Sequence, residues 1–183
     1  YIALYGEDYE SALAAVNRWH ELSPEDNDVL KLYATIYLNL KQPLTAAKYI
    51  ESMLAVSEET DKHDALIVKN LLSKDVDVKD GLLVLKALVQ SSPDNLQLLI
   101  LQARYSAQLE QYEDALTALD RALAIDPSMS DVHIIKSRIL TVLGRKEEAR
   151  ASVLMVLQTQ PEDFDLRLSY ARMLVEDRLY LEA

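Results

Sequence analysis

Cysteine is absent from this 183-residue chain, which removes disulfides, thiolate nucleophiles and Cys-ligated metal centres together while leaving the compartment open. Glycine occurs only at Gly6, Gly81 and Gly144, so there is no glycine-rich loop to cradle a phosphate or dinucleotide. The three histidines, His20, His63 and His133, lie far apart, and none has a second histidine or thiol at metal-ligand spacing. No apolar run approaches the ~20 residues needed to cross a bilayer, so no membrane insertion by this segment is expected. Lysine and arginine number 19 against 30 acidic residues, a net charge of -11, and no repeat-length segment is basic overall. Without a stripe of cations to neutralise phosphates, nucleic acid is excluded as a partner. Acidic pairs such as Glu113-Asp114 and Glu147-Glu148 fall at expected helix starts, where they favour the helix dipole. These absences predict no enzyme, no cofactor and no metal.

What the chain does contain is a rhythm. Ala12, Ala46, Gly81, Ala115, Ala149 and Ala183 follow one another at steps of 34, 35, 34, 34 and 34. Pro24, Pro93, Pro127 and Pro161 keep the same register, each twelve residues after one of these small residues, with Glu58 where a fifth proline would stand. A period in this range marks a stack of like units. Half the residues are hydrophobic, and they recur at helical spacing, which predicts an all-α protein. Between Leu96 and Pro127 one apolar-periodic stretch runs to about Leu109, a polar turn follows at Glu110-Gln111, and a second stretch runs from Tyr112 to Ile125. Each unit therefore reads as a helical hairpin. Pro127 ends its second helix by disfavouring helix at Asp126 and removing an amide from the ladder. In the next unit Gly144 suits a left-handed helix terminus.

Small residues at the eighth and twentieth positions, an aromatic at the seventeenth and proline at the thirty-second resemble the tetratricopeptide repeat. Ala34, Ala103, Ser137 and Ala171 occupy the eighth position, and Tyr9, Tyr112 and Tyr180 the seventeenth. The resemblance implies a right-handed α-solenoid of antiparallel helix pairs, one array over residues 1–183. Its units are 1–26 (partial), 27–61, 62–95, 96–129, 130–163 and 164–183 (partial). The unit 62–95 departs most, with Lys69 at the eighth position, Gly81 for alanine, and a polar stretch from Ser73 to Asp80. Trp19 stands at the twenty-seventh position of its unit, which usually packs between helices, so it is expected to be core or to cover a missing neighbour, with an aromatic binding anchor as the alternative. The segments Ile2-Ala3-Leu4-Tyr5 through Trp19 and Leu166 through Glu176 are similar to stretches of large proteobacterial tetratricopeptide lipoproteins of the cell envelope. Some of those act as adaptors for a periplasmic processing protease, which implies a periplasmic or membrane-anchored location.

In such an array the first helices line a concave face, on which the second, fifth, ninth and twelfth positions share one side. The ninth position reads Thr35, Asn70, Arg104, Arg138 and Arg172, and Ile100, Ile134 and Leu168 lie one turn before the arginines. Gln108 adjoins Arg104 one turn later. The expected peptide-binding set is Asn70, Ile100, Arg104, Gln108, Ile134, Arg138, Leu168 and Arg172. The arginines could instead be neutralised by Asp131 and Asp165, but Asp131 stands roughly 10.5 Å of helix rise before Arg138. Arg172 alone has an acid four residues away, Glu176. Packed helices about 10 Å apart would hold an extended or helical segment of another protein, with its carboxylates on the arginines.

The sequence thus predicts a module that binds a protein or peptide, an adaptor or scaffold whose partner carries acidic groups. Its alternatives are a structural array that associates with itself and a regulatory arm of a larger protein. The chain begins at Tyr1 without methionine and stops at Ala183 inside a helical pattern, as a piece of something longer would.

Overall fold

A computed structural model describes residues 8–24, 26–55, 61–72 and 76–176. They form ten α-helices and, among the described residues, no strand: α1 (Tyr9–Leu22), α2 (Asn27–Asn39), α3 (Pro43–Ala55), α4 (Asp61–Leu72), α5 (Val78–Ser91), α6 (Leu96–Gln108), α7 (Tyr112–Ile125), α8 (Ser130–Val142), α9 (Lys146–Leu157) and α10 (Phe164–Glu176). The all-α, paired-helix architecture is the one the rhythm predicts. Among the described residues, in the four stretches from 27 to 163 one helix opens at or beside the first position of the repeat and its partner at the seventeenth. Glu58, Tyr180, Ala183, Gly6 and the segment Ile2 to Tyr5 lie outside the described residues.

Local chemistry explains the starts and the turns. Side-chain oxygens satisfy otherwise unbonded amides at the first turns: Asp26 accepts from the Asp28 N–H at 2.9 Å, Asp77 from Lys79 at 2.8 Å, Asn95 from Leu98 at 3.0 Å and Asp163 from Leu166 at 3.0 Å. Three hairpin turns share one geometry at the fifteenth position, where Lys41, Glu110 and Gly144 have φ of 57°, 60° and 76°. The next amide in each case reaches back five residues, Gln42 to Tyr37, Gln111 to Ser106 and Arg145 to Leu140, at 2.9, 2.9 and 2.8 Å. This left-handed closure satisfies carbonyls at the helix end.

The small positions are where helices touch. Ala34, Ala46, Ala103, Ala115 and Ala149 have no exposed surface, and Ser137 has 1%. Filling any of them with a larger side chain would overpack the contact at a cost of about 1–3 kcal/mol.

The chain divides between Tyr105 and Ser106 into two compact units. In the first, α2 packs against α1 and α3, and α3 against α5. Ala12, Val16, Val29, Tyr33 and Ile36 form a core there. Its aromatic edge is a stack in which Tyr33 lies 4.5 Å from Tyr49 and 6.4 Å from Tyr37, centroid to centroid. The buried Tyr33 hydroxyl donates to Asn17 at 2.6 Å, as a phenol removed from water requires. In the second unit α8 packs against α7 and α9, α9 against α10, and α10 reaches α8. Val153, Val156 and Leu166 form a core here, with Ile134, Leu157, Tyr170 and Met173 against it.

Two expectations are refined. At the divergent Gly81 the Tyr105 ring occupies the space of the missing methyl, while Lys69 at the eighth position is exposed. Trp19 is 39% exposed, so of the placements expected for it a fully buried core position is not the one realised. Its position is filled elsewhere by Met53, Leu88, Ala122 and Val156, all buried, and an indole is larger than any of these, so its outer part meets solvent.

Candidate peptide-binding surface

The second unit brings two of the predicted first helices side by side. The turn at 143–145 reverses the chain after α8, and the connection 158–163 reverses it again after α9. With α10 in contact with α8, these two helices run the same way, and residues 34 apart hold the same positions along two helices of equal length. Polar ties fix the shared end. Ser130 at the start of α8 donates to the Gln160 Oε1 at 2.9 Å, and the Gln160 amide donates to the Ser128 carbonyl at 2.7 Å. Asp163 caps α10 nearby, and its carboxyl is held below the usual carboxylate range chiefly by the Leu166 N–H and then by the Ser130 hydroxyl.

Four predicted residues lie on these helices. Arg138 and Arg172 are exposed. Arg138 forms no hydrogen bond or ion pair among the described residues, and the Asp131 carboxylate instead accepts from the neighbouring Val132 N–H at 3.0 Å. Neutralisation of Arg138 by Asp131 is thus not made. The side chain of Glu176, which the spacing offers to Arg172, lies outside the described residues. Leu168 is 37% exposed, whereas Ile134 is half-buried against the Val153–Val156–Leu166 core. Val175, one turn beyond Arg172, is 51% exposed and extends the apolar part of the face.

The other predicted residues are placed differently. Ile100 is 5% exposed and belongs to the core, so it offers a ligand little surface. Arg104 and Gln108 are exposed on α6, and Arg104, like Arg138, makes no ion pair among the described residues. Asn70 is exposed on α4 but already engaged within the protein.

A second feature of this unit was not visible in the sequence. A cleft of about 480 Å³ opens among α7, α8 and α9, lined by Leu123, His133, Lys136, Ser152 and Met155 among others. Lys136 pairs with Asp120 at 2.6 Å at its edge. At its base the His133 Nε2 lies 3.0 Å from the Pro127 carbonyl, and Nδ1 lies 3.0 Å from the Ser152 Oγ. A carbonyl only accepts, so Nε2 carries the proton and the serine donates to Nδ1. This satisfies two buried polar side chains. It is no hydrolytic relay, because a neutral carbonyl stands where a carboxylate would have to stabilise an imidazolium. No group of three or more metal-ligating side chains occurs among the described residues, and no described helix is long and apolar enough to cross a membrane.

Beside α7 and α9, charged turns are locked locally. Arg145 donates to Glu148 at 2.6 and 2.7 Å and to Glu113 at 3.4 Å. The guanidinium keeps the Glu148 carboxyl below its ordinary range. The acidic pairs at these helix starts are therefore partly engaged in ion pairs as well as facing the helix dipole.

Family models described as tetratricopeptide repeat match residues 106–173 and 77–130. A TPR repeat-containing protein of Pseudomonas aeruginosa is 29% identical over 171 residues, 91% of this chain, and the chain spans 28% of that relative's length. Among solved structures, a thermophilic TPR protein of Thermus thermophilus matches with a TM-score of 0.55 at 23% identity, over 95% of each chain. YrrB, described as a TPR protein with an unusual peptide-binding site, matches with a TM-score of 0.57 at 18% identity, over 93% of this chain and 87% of its own. The type IV pilus biogenesis factor PilW gives 0.55 at 17% identity, over 98% and 84%. At these identities the likeness to the solved structures is one of fold alone.

Proposed function

Because the chain belongs to the tetratricopeptide repeat family, in which helical hairpins serve protein–protein interaction, we propose that it is an adaptor or scaffold module, without catalytic activity, that holds a segment of another protein on its first helices. What supports this reading is Arg138, exposed on α8 and without an ion pair among the described residues, together with exposed Arg172 and Leu168 on α10, which is in contact with α8. An arginine left without an internal partner keeps its full capacity to take a carboxylate bidentately. Arg104 on α6 offers the same chemistry, and the neutral Gln108 amide beside it a hydrogen-bond donor. The partner is a protein or peptide with acidic side chains. YrrB, whose description names a peptide-binding site, is a precedent for the same fold in that role.

The test is affinity capture from the source cell's extract with wild-type protein beside the Arg138→Ala, Arg172→Ala variant, their melting temperatures measured in parallel. A partner retained by wild type and lost by an equally stable variant supports the reading. A partner held equally by both moves the site off this face. Recovery of the protein alone, with a dimeric or larger mass in solution, favours self-association.

A further inference from the structure

We infer that the occupant of the α8–α10 face is an amphipathic α-helix lying across both helices, with acidic side chains along one flank and basic side chains along the other. The inference rests on the proposed binding face and adds the form and charge order of what sits there. Along α8 the exposed series is Asp131, half-buried Ile134, then exposed Arg138; along α10 it is Asp165, Leu168, Arg172. The two helices are in contact, run the same way, and carry these residues at the same positions along equal lengths. The surface is therefore three bands crossing the helices, one acidic, one aliphatic and one basic.

The width of the bands selects the ligand. Asp131 and Arg138 differ by seven residues, so the acidic and basic bands are about 10.5 Å apart along the helix. An α-helix with its side chains is about 10–12 Å across, so one laid on the aliphatic band reaches both flanking bands at once. A single extended strand is about half as wide, since strands in a sheet repeat every 4.7–4.9 Å, and its side chains point up and down instead of sideways. It meets one charged band and leaves the other unpaired. Along the ligand, packed helices 8–10 Å apart correspond to about two turns. Carboxylates at i and i+7, about 10.5 Å apart, therefore match Arg138 and Arg172, and basic residues with the same spacing on the opposite flank match Asp131 and Asp165.

The probes are three synthetic peptides: a helix with a leucine stripe and sorted glutamate and lysine flanks, the same composition with both charges mixed on each flank, and an acidic, proline-containing peptide that cannot be helical. Affinities are measured by fluorescence anisotropy against four proteins of checked melting temperature. These are wild type, Arg138→Ala with Arg172→Ala, Arg138→Glu with Arg172→Glu, and a band-inverted form that adds Asp131→Lys and Asp165→Lys to the last.

The sorted helix is expected to bind wild type at least tenfold more tightly than the mixed one. It should be lost from the Glu variant and regained by the band-inverted protein with its direction reversed. Because the chain has no native cysteine, a nitroxide on a single introduced Phe164→Cys reads that direction from a labelled peptide terminus. Equal binding of sorted and mixed helices, or recovery without reversal, overturns the helix inference. Tighter binding of the non-helical peptide, lost on both arginine substitutions, also overturns it while leaving the binding face intact. Failure of all three peptides to respond to the arginine substitutions, or to bind at all, overturns both.

Discussion

The ring of Tyr105 occupies the space that a side chain at residue 81 would need: a Cβ built on Gly81 would stand 2.5 Å from the ring Cε1. The ring cannot swing away freely, since its hydroxyl donates to the Leu72 carbonyl at 3.2 Å. Alanine at this position would gain up to about 1 kcal/mol of helix propensity but meet an overpacking cost of about 1–3 kcal/mol. Gly81→Ala is therefore expected to lower stability by roughly 1 kcal/mol in denaturant titration. In the Tyr105→Leu background the same substitution should turn neutral or stabilising. A Gly81→Ala variant as stable as wild type would show that the ring does not hold this place.

His133 and Ser152 satisfy each other inside the second unit, and neither nitrogen of the imidazole has a spare partner. Removing the hydroxyl leaves Nδ1 buried without a donor. Turning the proton to Nδ1 only moves the deficit to the Pro127 carbonyl. Ser152→Ala is predicted to cost about 1–3 kcal/mol, a fall of several degrees in melting temperature for a chain of this size. Ser152→Thr, which keeps the donor, should lose less if its extra methyl fits beside the cleft.

The left-handed turns make opposite predictions at chemically different residues. Lys41 and Glu110 adopt φ near +60° with a Cβ to accommodate, whereas Gly144 adopts +76° without one. The strain at a non-glycine residue is about 1–2 kcal/mol, part of which is returned as unfolded-chain entropy when glycine is introduced. Lys41→Gly and Glu110→Gly should each stabilise by about 0.5–1 kcal/mol, and Gly144→Ala should destabilise by a similar amount. Chemical denaturation of the three variants checks the signs directly.

Acid sensitivity follows from carboxylates whose folded pKa is depressed. Asp163 is lowered by the Leu166 amide and the Ser130 hydroxyl, Asp126 by the Ser128 hydroxyl and amide, and Glu148 by Arg145. Each releases its proton more readily folded than unfolded. Their contribution is fully present above the unfolded carboxylate values near pH 4, and it is lost as the pH falls through the lower folded ones. Melting temperature should therefore drop below about pH 4. Acidification also relieves the self-repulsion of a chain with net charge -11, so the comparison that isolates these groups is with Asp163→Asn. That variant should be less stable at neutral pH and lose less on acidification.

Much of this was legible in the sequence because the repeat converts tertiary contact into spacing. Ala46, Ala115 and Ala149 sit at helix contacts in register, as the 34-residue step requires, and Gly144 closes its turn as its lack of a side chain allows. Lys41 and Glu110 close equivalent turns without such a signal, since main-chain hydrogen bonds override their preference. The exposure of Arg138 and Leu168 could be read from helical phase. The burial of Ile100 could not, because the fifth position faces outward or inward according to how neighbouring helices cross. The His133–Ser152 pair joins residues nineteen apart on different helices, and only their packing brings them together.

The hairpin turns at Lys41, Glu110 and Gly144 are closed from main chain to main chain, so a lysine and a glutamate can stand where glycine is less strained. The residue at such a corner can therefore change at a cost of only about 1–2 kcal/mol. The length of the corner is held more strictly: deleting one residue would rotate every later position on the following helix by about 100°, carrying small residues away from their contacts and arginines away from their face. The chain therefore tolerates changes of spelling far better than changes of spacing.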